Sequence, residues 1–460
     1  MKKTTINKLL ALLLALAMVF SMVACGAKEA APEAAPEAAP EAAPEAAPEA
    51  APAEKEEITL TVWTNSLIPA EDVVNDQESW WITQAIERFR EEYPYVNVEL
   101  TKVNDGAEAS TLFKAAAAAG SAPDIAEFWT GNWIIDLEDY ALPIYDLLPE
   151  ETQKELQGWE TVSVGFDENN TIVGAPTFVQ MLAGFFYNKD IVAAAGLDFE
   201  NNPPKTTDEL LAACEKIKAA GYLPIIADEG KNHEVINFVF NYWWAQQTGF
   251  EALLKESAGE AKFADDQGLL NALEFYKKLY DLGYLNADTL TATDARARFL
   301  MGEEAALYPT HSGNLPQLEE ALGERLGYIK PGDMNLNGPI TNSLIGGAGQ
   351  GFIVSKDTKY PEECAALIAH LVSAEEFTEY YQHSPNAFPN LAGISGSDLG
   401  EVSPVTEDLL GYTSDVVFFV DNVVDSAAIE ALIRCSGELI NGDKTPLEVA
   451  QAMDEAVANK

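Results

Sequence analysis

Hydrophobic and polar positions beyond residue 57 fall into two periods. Residues 58–63 (ITLTVW) are β-rich and partly alternating, which predicts a strand, and Asn65 and Ser66 open a loop behind it. Over 80–93, Trp81, Ile82, Ala85, Ile86 and Phe89 recur at helical spacing, and Pro94 ends the run because it brings no backbone donor. Residues 96–101 (VNVELT) predict a second strand, 109–119 a second helix closed by Gly120, and 123–129 a third short strand running into a loop. Strand, helix, strand, helix, strand is the rhythm of a mostly parallel sheet. Ligands of such sheets sit beyond the carboxyl ends of the strands, which puts Asn65, Ser66 and residues 129–133 on one rim. The rhythm then returns. Segments 173–176 and 184–188 flank a short polar stretch, and 207–219 predicts a helix capped by Thr207 with Leu210, Leu211, Cys214 and Ile217 as its apolar stripe. Residues 223–227 (LPIIA) predict a strand and 228–233 the loop after it, while 238–245 predicts an apolar helix with Trp243 and Trp244 in a core. Two α/β units result, with no sequence repeat relating them.

The first 57 residues follow neither period. Lys2, Lys3 and Lys8 precede a charge-free apolar run, 9–24. At ~1.5 Å per residue that run falls short of a ~30 Å hydrocarbon core, so it reads as a secretory segment rather than a membrane span. It ends in Met22-Val23-Ala24-Cys25-Gly26, which resembles a bacterial lipobox with Met22 at the position where Leu is preferred. On this reading residues 1–24 are a lipoprotein signal peptide and Cys25 carries a lipid. The mature chain is then held on the extracellular face of the bacterial cell membrane without spanning it; an ordinary signal peptide with an incidental Cys is the alternative. Glu-Ala-Ala-Pro repeats fill 29–52. A Pro every fourth residue removes the donor each helical turn needs and pushes its predecessor out of the α region. Residues 25–57 are therefore expected to be the lipidated Cys and an extended, self-repelling stalk, against a low-complexity insert of no selected length.

The formal net charge is −46, from 74 acidic and 28 basic residues. That balance excludes nucleic acid and anionic lipid surfaces as ligands, and it makes carboxylate pairs uninformative. Cys214, Cys364 and Cys435 lie far apart in apolar helical patterns, without CxxC spacing, and read as buried small side chains rather than a disulfide or metal site. The four histidines, His233, His311, His370 and His383, show no HExxH spacing, and no metal or other cofactor is expected. The stretch from 58 onward, about 400 residues, is too long for one ordinary core and predicts two lobes.

Several segments, taken in order, resemble the family 1 extracellular solute-binding proteins of ABC importers, the family of the maltose-binding protein. They are VWTN (62–65), FREEYPYVNVEL (89–100), GSAPDIAEFW (120–129), VGAP (173–176), FYNKDI (186–191), NPPKTTDELL (202–211), FLMGEEAAL (299–307), GGAGQGFIVSKDT (346–358) and GDKTPLEVAQAMDEA (442–456). The resemblance implies an α/β chain of the type II periplasmic-binding-protein fold: two α/β lobes joined by hinge crossovers, with a ligand cleft between them. Crossovers are expected near 179–182, around 343–351 and near 384–389. Lobe 1 would then comprise 58–179 and 346–385, and lobe 2 would comprise 180–345 and 386–460. It also implies no enzymatic activity, a sugar or oligosaccharide as solute, ABC permease subunits as partners, and a monomer.

A sugar offers apolar C–H faces and a girdle of hydroxyls, so its site needs aromatic platforms and side chains that donate and accept hydrogen bonds. Trp129, Asn132 and Trp133 supply both within five residues. The resemblance makes Trp129 a sugar-stacking position, against a core Trp at a strand end. Asn132 and Trp133 stand where the maltose relative has an acid and a base, which argues against maltose itself. Asn65 corresponds to a polar ligand contact, or else caps its loop. Gln180 falls at a family carboxylate position in the first crossover. Asp228, Asn232 and His233 occupy a loop that presents an acid and an aromatic to ligand in the family; a solvated loop His is the alternative. His311 and Asn314 lie where relatives carry Gly-x-Trp, and polar contacts are expected in its place. Gly347 allows backbone approach to ligand or a hinge turn equally, and Phe419 and Asp421 lie near another family aromatic.

Three other functions stay open at this stage. A polyamine or other cationic solute on the same fold would ask for convergent carboxylates. A secreted glycoside hydrolase would need an acid pair flanking a cleft, and neither GxSxG nor a paired motif is present. A stalked adhesin would show an exposed apolar patch and no enclosed cleft.

Overall fold

The alternation at 58–63 becomes β1 (Ile58–Thr64), which buries Leu60, Val62 and Thr64 on one face. In the computed structural model, residues 55–68, 77–104, 106–166, 171–329, 344–384, 387–411, 413 and 416–459 are described. The signal-peptide segment, Cys25 and the repeat lie outside them. The helix Trp81–Glu92 turns Trp81, Ile82, Ala85 and Phe89 inward, leaves Ile86 half-buried, and stops where the Tyr93 N–H closes on Phe89 O just before Pro94. The chain then forms β2 (Val96–Lys102), the helix Gly106–Ala118 and β3 (Ile125–Trp129). Strands β2 and β3 flank β1 in parallel, with Ile58 opposite Val96 and Val62 opposite Ile125.

Short strands β4 (Ala141–Leu142) and β5 (Ala175–Pro176) precede the long β6 (Val179–Asn188). The second lobe continues with β7 (Leu223–Ile225), β8 (Ala305–His311), β9 (Leu326–Tyr328) and β10 (Leu344–Ala348), before β11 (Gln350–Ser355) returns to the first sheet. The first sheet runs β2-β1-β3-β11-β4, with β5 also on β11. After the helices Pro361–Leu371 and Ala374–His383 come β12 (Phe388–Pro389) and β13 (Val416–Val417). The second sheet runs β13-β10-β6-β8-β7, with β9 and β12 also paired to β6.

Each sheet has its own core. Leu60, Phe89, Phe113, Phe128, Ile353 and Phe377 belong to the first. Phe185, Trp243, Trp244, Tyr276 and Leu439 belong to the second, and Phe186, Tyr308 and Phe388 form a third cluster against the same lobe. Strand β6 feeds both clusters of its lobe, Phe185 and Tyr187 into one and Leu182 and Phe186 into the other. A strand buried on both faces shows no alternation, which is why period does not mark the extent of β6. Cys214, Cys364 and Cys435 are buried free thiols.

Three local expectations need correction. Thr206, not Thr207, caps the helix Thr207–Ala219, its side chain accepting from Glu209 N at 3.1 Å. The apolar run 238–245 is broken into Glu234–Phe238, Phe240–Trp243 and Ala245–Thr248, because Val239 leaves helical dihedrals and Trp244 is distorted to φ −100, ψ −72 while the indoles pack inward. The second passage between sheets falls at Gly349, inside the expected stretch 343–351 but beyond the lobe boundary placed between 345 and 346: Ile345 to Ala348 still pair with β6, and Gln350 is the first residue opposite Trp129. Gly346 and Gly347 lie within β10 and serve close packing; a Cβ on Gly346 would meet Met181 O at 2.8 Å.

Candidate functional site

The carboxyl ends of β1 and β3 carry the first-lobe rim. Glu127, fully buried in β3, accepts from Thr64 Oγ1 at 2.5 Å, Asn65 N at 3.0 Å and Ser66 N at 3.2 Å, and also from the Ser66 hydroxyl. These contacts satisfy the buried side chain and fold the 64–66 turn so that Ser66 reaches the space between the lobes. Asn65 Oδ1 accepts from Gln350 Nε2 at 2.6 Å, tying that turn to the second passage between sheets.

That space is a cavity of about 610 Å³. Ser66, Trp129, Thr177, Gln350, Tyr380 and His383 line it from the first lobe. Met181, His311, Ser312, Gly313 and Pro316 line it from the second, and Val179, Gln180, Gly349 and Ala387 from the passages between sheets. Trp129 is 36% exposed, unusual for an indole, and its ring meets Trp133 edge-on at 5.6 Å. Among the described residues no Asp, Glu, Lys or Arg lines this cavity.

His311 ends β8 against the Phe238 ring, 4.9 Å between centroids. Burial, reinforced by the nearby Arg296 charge, lowers its pKa to about 4, so the imidazole is neutral near pH 7. Gly313 N donates to Nδ1 at 3.2 Å, and Nε2 lies 3.4 Å from Asn314 Nδ2. Asn314 is committed elsewhere: its Nδ2 donates to Thr310 Oγ1 at 2.8 Å and its Oδ1 accepts from Arg296 Nη1 at 2.5 Å. Gln180 donates from Nε2 to Pro389 O at 2.7 Å and Thr413 O at 2.9 Å, while its buried Oε1 has no partner.

The structure brings Trp129, Gln180 and His311 to one cavity and leaves other candidates away from it. Asp228 is buried, its carboxylate filled by Lys231 N at 2.9 Å and Asn232 Nδ2 at 2.9 Å, so acid and amide close their own loop. His233 adopts φ 49 ahead of the helix Glu234–Phe238, and burial lowers its pKa; it does not line the cavity. Phe419 is packed into the second-lobe core. Asp421 faces a small crevice beside Asn241 and Trp244, where burial raises its carboxyl to about 6. Asn132 donates from Nδ2 to Val424 O at 2.6 Å, and Trp133 meets the cavity only through its contact with Trp129. Gly347, at φ 130, borders a separate pocket with Trp159, Asn390 and Phe418.

Ser66, placed on the rim by the strand order alone, lines the cavity, and Gln350, Tyr380 and His383 join it without having been singled out by the sequence. Tyr380 and His383 sit at the end of Ala374–His383, just before the third passage between sheets; polar aromatics beside an expected hinge were the available signal.

A family model described as bacterial extracellular solute-binding protein matches residues 84–399. The sn-glycerol-3-phosphate-binding periplasmic protein UgpB of Shigella dysenteriae serotype 1 is 25% identical over 307 residues, covering 64% of this chain and 68% of that protein. Its Salmonella typhimurium counterpart is matched over 62% of its own length, so the chain spans roughly two thirds of these curated relatives. A chitin oligosaccharide binding protein superimposes with TM-score 0.71 at 22% identity, covering 88% of this chain and 98% of that one. A family 1 extracellular solute-binding protein from Bifidobacterium longum subsp. infantis gives TM-score 0.65 at 18% identity, covering 88% and 100%.

Proposed function

The chain belongs to the bacterial extracellular solute-binding protein family, and we propose on that premise that it is the substrate-binding component of an ABC importer, capturing an uncharged carbohydrate between its lobes for delivery to the permease. One observation carries the choice of solute. A chain with 74 acidic residues keeps every described acid, and every described Lys and Arg, away from the lining of this interlobe cavity. A polyamine would ask for carboxylates. A phosphate, such as the one named for the curated relatives, would ask for Arg, Lys or an anion-binding helix end. A glycoside hydrolase would ask for a carboxyl pair in the cleft. The described lining instead offers an indole face, neutral imidazole, hydroxyls and amides, which suit C–H faces and sugar hydroxyls.

In this reading Trp129 stacks on a sugar ring, the neutral His311 imidazole hydrogen-bonds a hydroxyl, and Gln180 Oε1 accepts from one, with Ser66, Gln350 and Tyr380 completing the girdle. The lobes close on the passages near Val179, Gly349 and Ala387, and contacts made from both sides shift the population toward the closed form. No helix among the described residues is long and apolar enough to cross a membrane. The proposal also includes lipidation of Cys25, a stalk at 29–52, an extracellular location and a monomeric binding unit, carried by the sequence MVACG at 22–26 and the repeat that follows it.

The test is a thermal-shift screen of the full chain carrying Cys25→Ser against neutral mono- and oligosaccharides, sn-glycerol 3-phosphate, amino acids and polyamines. A ligand bound only by the folded state raises the Tm by mass action. A rise confined to neutral carbohydrates is the expected result; a rise confined to polyamines or to glycerol phosphate overturns the assignment.

A further inference from the structure

The two lobes also meet outside the cavity, where β3 runs out of the first sheet. Thr130, fully buried, directly follows the cavity-lining Trp129. Asn422, in the second-lobe helix Val420–Val423, donates from Nδ2 to Thr130 O at 3.1 Å and to Thr130 Oγ1 at 3.0 Å. Thr130 Oγ1 in turn donates to Ala348 O at 2.6 Å, at the end of β10. Two residues on, Asn132 Nδ2 donates to Val424 O at 2.6 Å. Gly131 lies between these bonds at φ +70, and a Cβ there would fall 2.2 Å from Asn422 O and 2.4 Å from its Cα. Its own N–H is held by Thr161 O at 2.6 Å. The close approach is therefore backbone against backbone, and only glycine permits it. Both sides are anchored: Val420, Val423 and Val424 sit in the second-lobe core and Ile134 in the first-lobe core.

From this geometry we propose that Thr130 and Asn422 are positioning residues, forming with Asn132 a polar latch that joins the lobes and holds Trp129 over the cavity in the closed form. The inference rests on the hinged-lobe reading given above. Neither Thr130 nor Asn422 lines the cavity, so their effect on solute passes through the population of the closed form. A latch that raises the closed fraction raises apparent affinity by the same factor, with no new contact to solute. It also gives Asn132 a role other than solute contact, because its amide is used across the lobe boundary.

The test needs no solute. Labels are attached to Lys154→Cys in the first lobe and Glu274→Cys in the second, in the full chain carrying Cys25→Ser; the three remaining native thiols are buried and are spared by the label. Distance distributions between the labels are then compared across variants. Asn422→Ala and Thr130→Val, each losing one or two net hydrogen bonds, are expected to raise the open-to-closed ratio roughly tenfold, while Thr130→Ser, which keeps the hydroxyl, stays near the parent. Gly131→Leu is a wedge that cannot coexist with Asn422 in its present place, and it is expected to lengthen the distance outright. If the wedge lengthens it and neither Asn422→Ala nor Thr130→Val does, the latch is wrong and the hinge stands. If even the wedge leaves the distribution unchanged, the hinged reading fails and takes the latch with it.

Discussion

Single residues carry the sharpest consequences. Trp129→Ala removes the exposed indole that faces the cavity, and a stacked aromatic surface of this kind is expected to cost roughly tenfold or more in solute affinity. Isothermal titration with the carbohydrate that passes the thermal-shift screen measures it, and an unchanged Kd would remove Trp129 from the site. Glu376 shows how a buried acid is kept ionised. Burial opposes its charge, but Arg88 at 2.7 and 2.6 Å and His370 at 3.2 Å outweigh that and hold its pKa at about 2, with Trp81 Nε1 donating at 3.1 Å. Its contribution is present above the unfolded carboxyl value of about 4.3 and is lost as pH falls through about 2. Arg88→Ala strands the carboxylate and is expected to lower stability by about 2–3 kcal/mol in urea unfolding at pH 7, discounted for the partial exposure of the guanidinium. Glu229 and Glu234 act in the opposite sense. Burial raises both to about 7, although Tyr276 and Val235 donate to Glu229, and Tyr308 and Asp228 N to Glu234. Their contribution is complete below about pH 4.3 and is lost as pH rises through about 7. The Tm is therefore expected to fall between pH 5 and pH 7.5, and Glu229→Gln to flatten that slope; a Tm that rises across the window contradicts it.

At the scale of elements, short turns at strand ends do the positioning. The 64–66 turn is shaped by Glu127, an acid inside the apolar strand IAEFW, and the 311–314 turn by Gly313. A Cβ on Gly313 would stand 2.8 Å from His311 Cε1, so Gly313→Ala is expected to push the ring aside. Solute affinity should drop severalfold with little change in Tm, since the residue is exposed and the obstacle is a side chain; equal affinity would exclude His311 as a contact. The elements were unevenly legible. β1 and the helices Trp81–Glu92 and Thr207–Ala219 each turn one face to a core, and one-sided burial writes a period into the residues. β6 is buried on both faces and the 238–245 run is apolar all round, so period could fix neither the extent of the strand nor the breaks in the helix.

For the whole molecule, two sheets with separate cores are joined by three passages, the arrangement expected from length and from the ordered segments that resemble solute-binding proteins. A chain at −46 repels itself, so its Tm is expected to rise with added NaCl from about 10 mM to about 500 mM as the screening length shrinks. A flat response in differential scanning calorimetry would mean that the acids are locally compensated. The sequence by itself determined the α/β rhythm, the lobe count, the family, and the identity of Trp129 as an aromatic at a strand's carboxyl end, because those depend on local period and order along the chain. Only the tertiary structure decided which polar groups remain available. Asp228, Asn132 and Asn314 have the chemistry of ligand contacts, yet each has its hydrogen bonds taken by neighbours, as far as 292 residues away for Asn132. A hydrogen-bonding group is free or occupied according to what folds against it, and distant parts of the chain settle that.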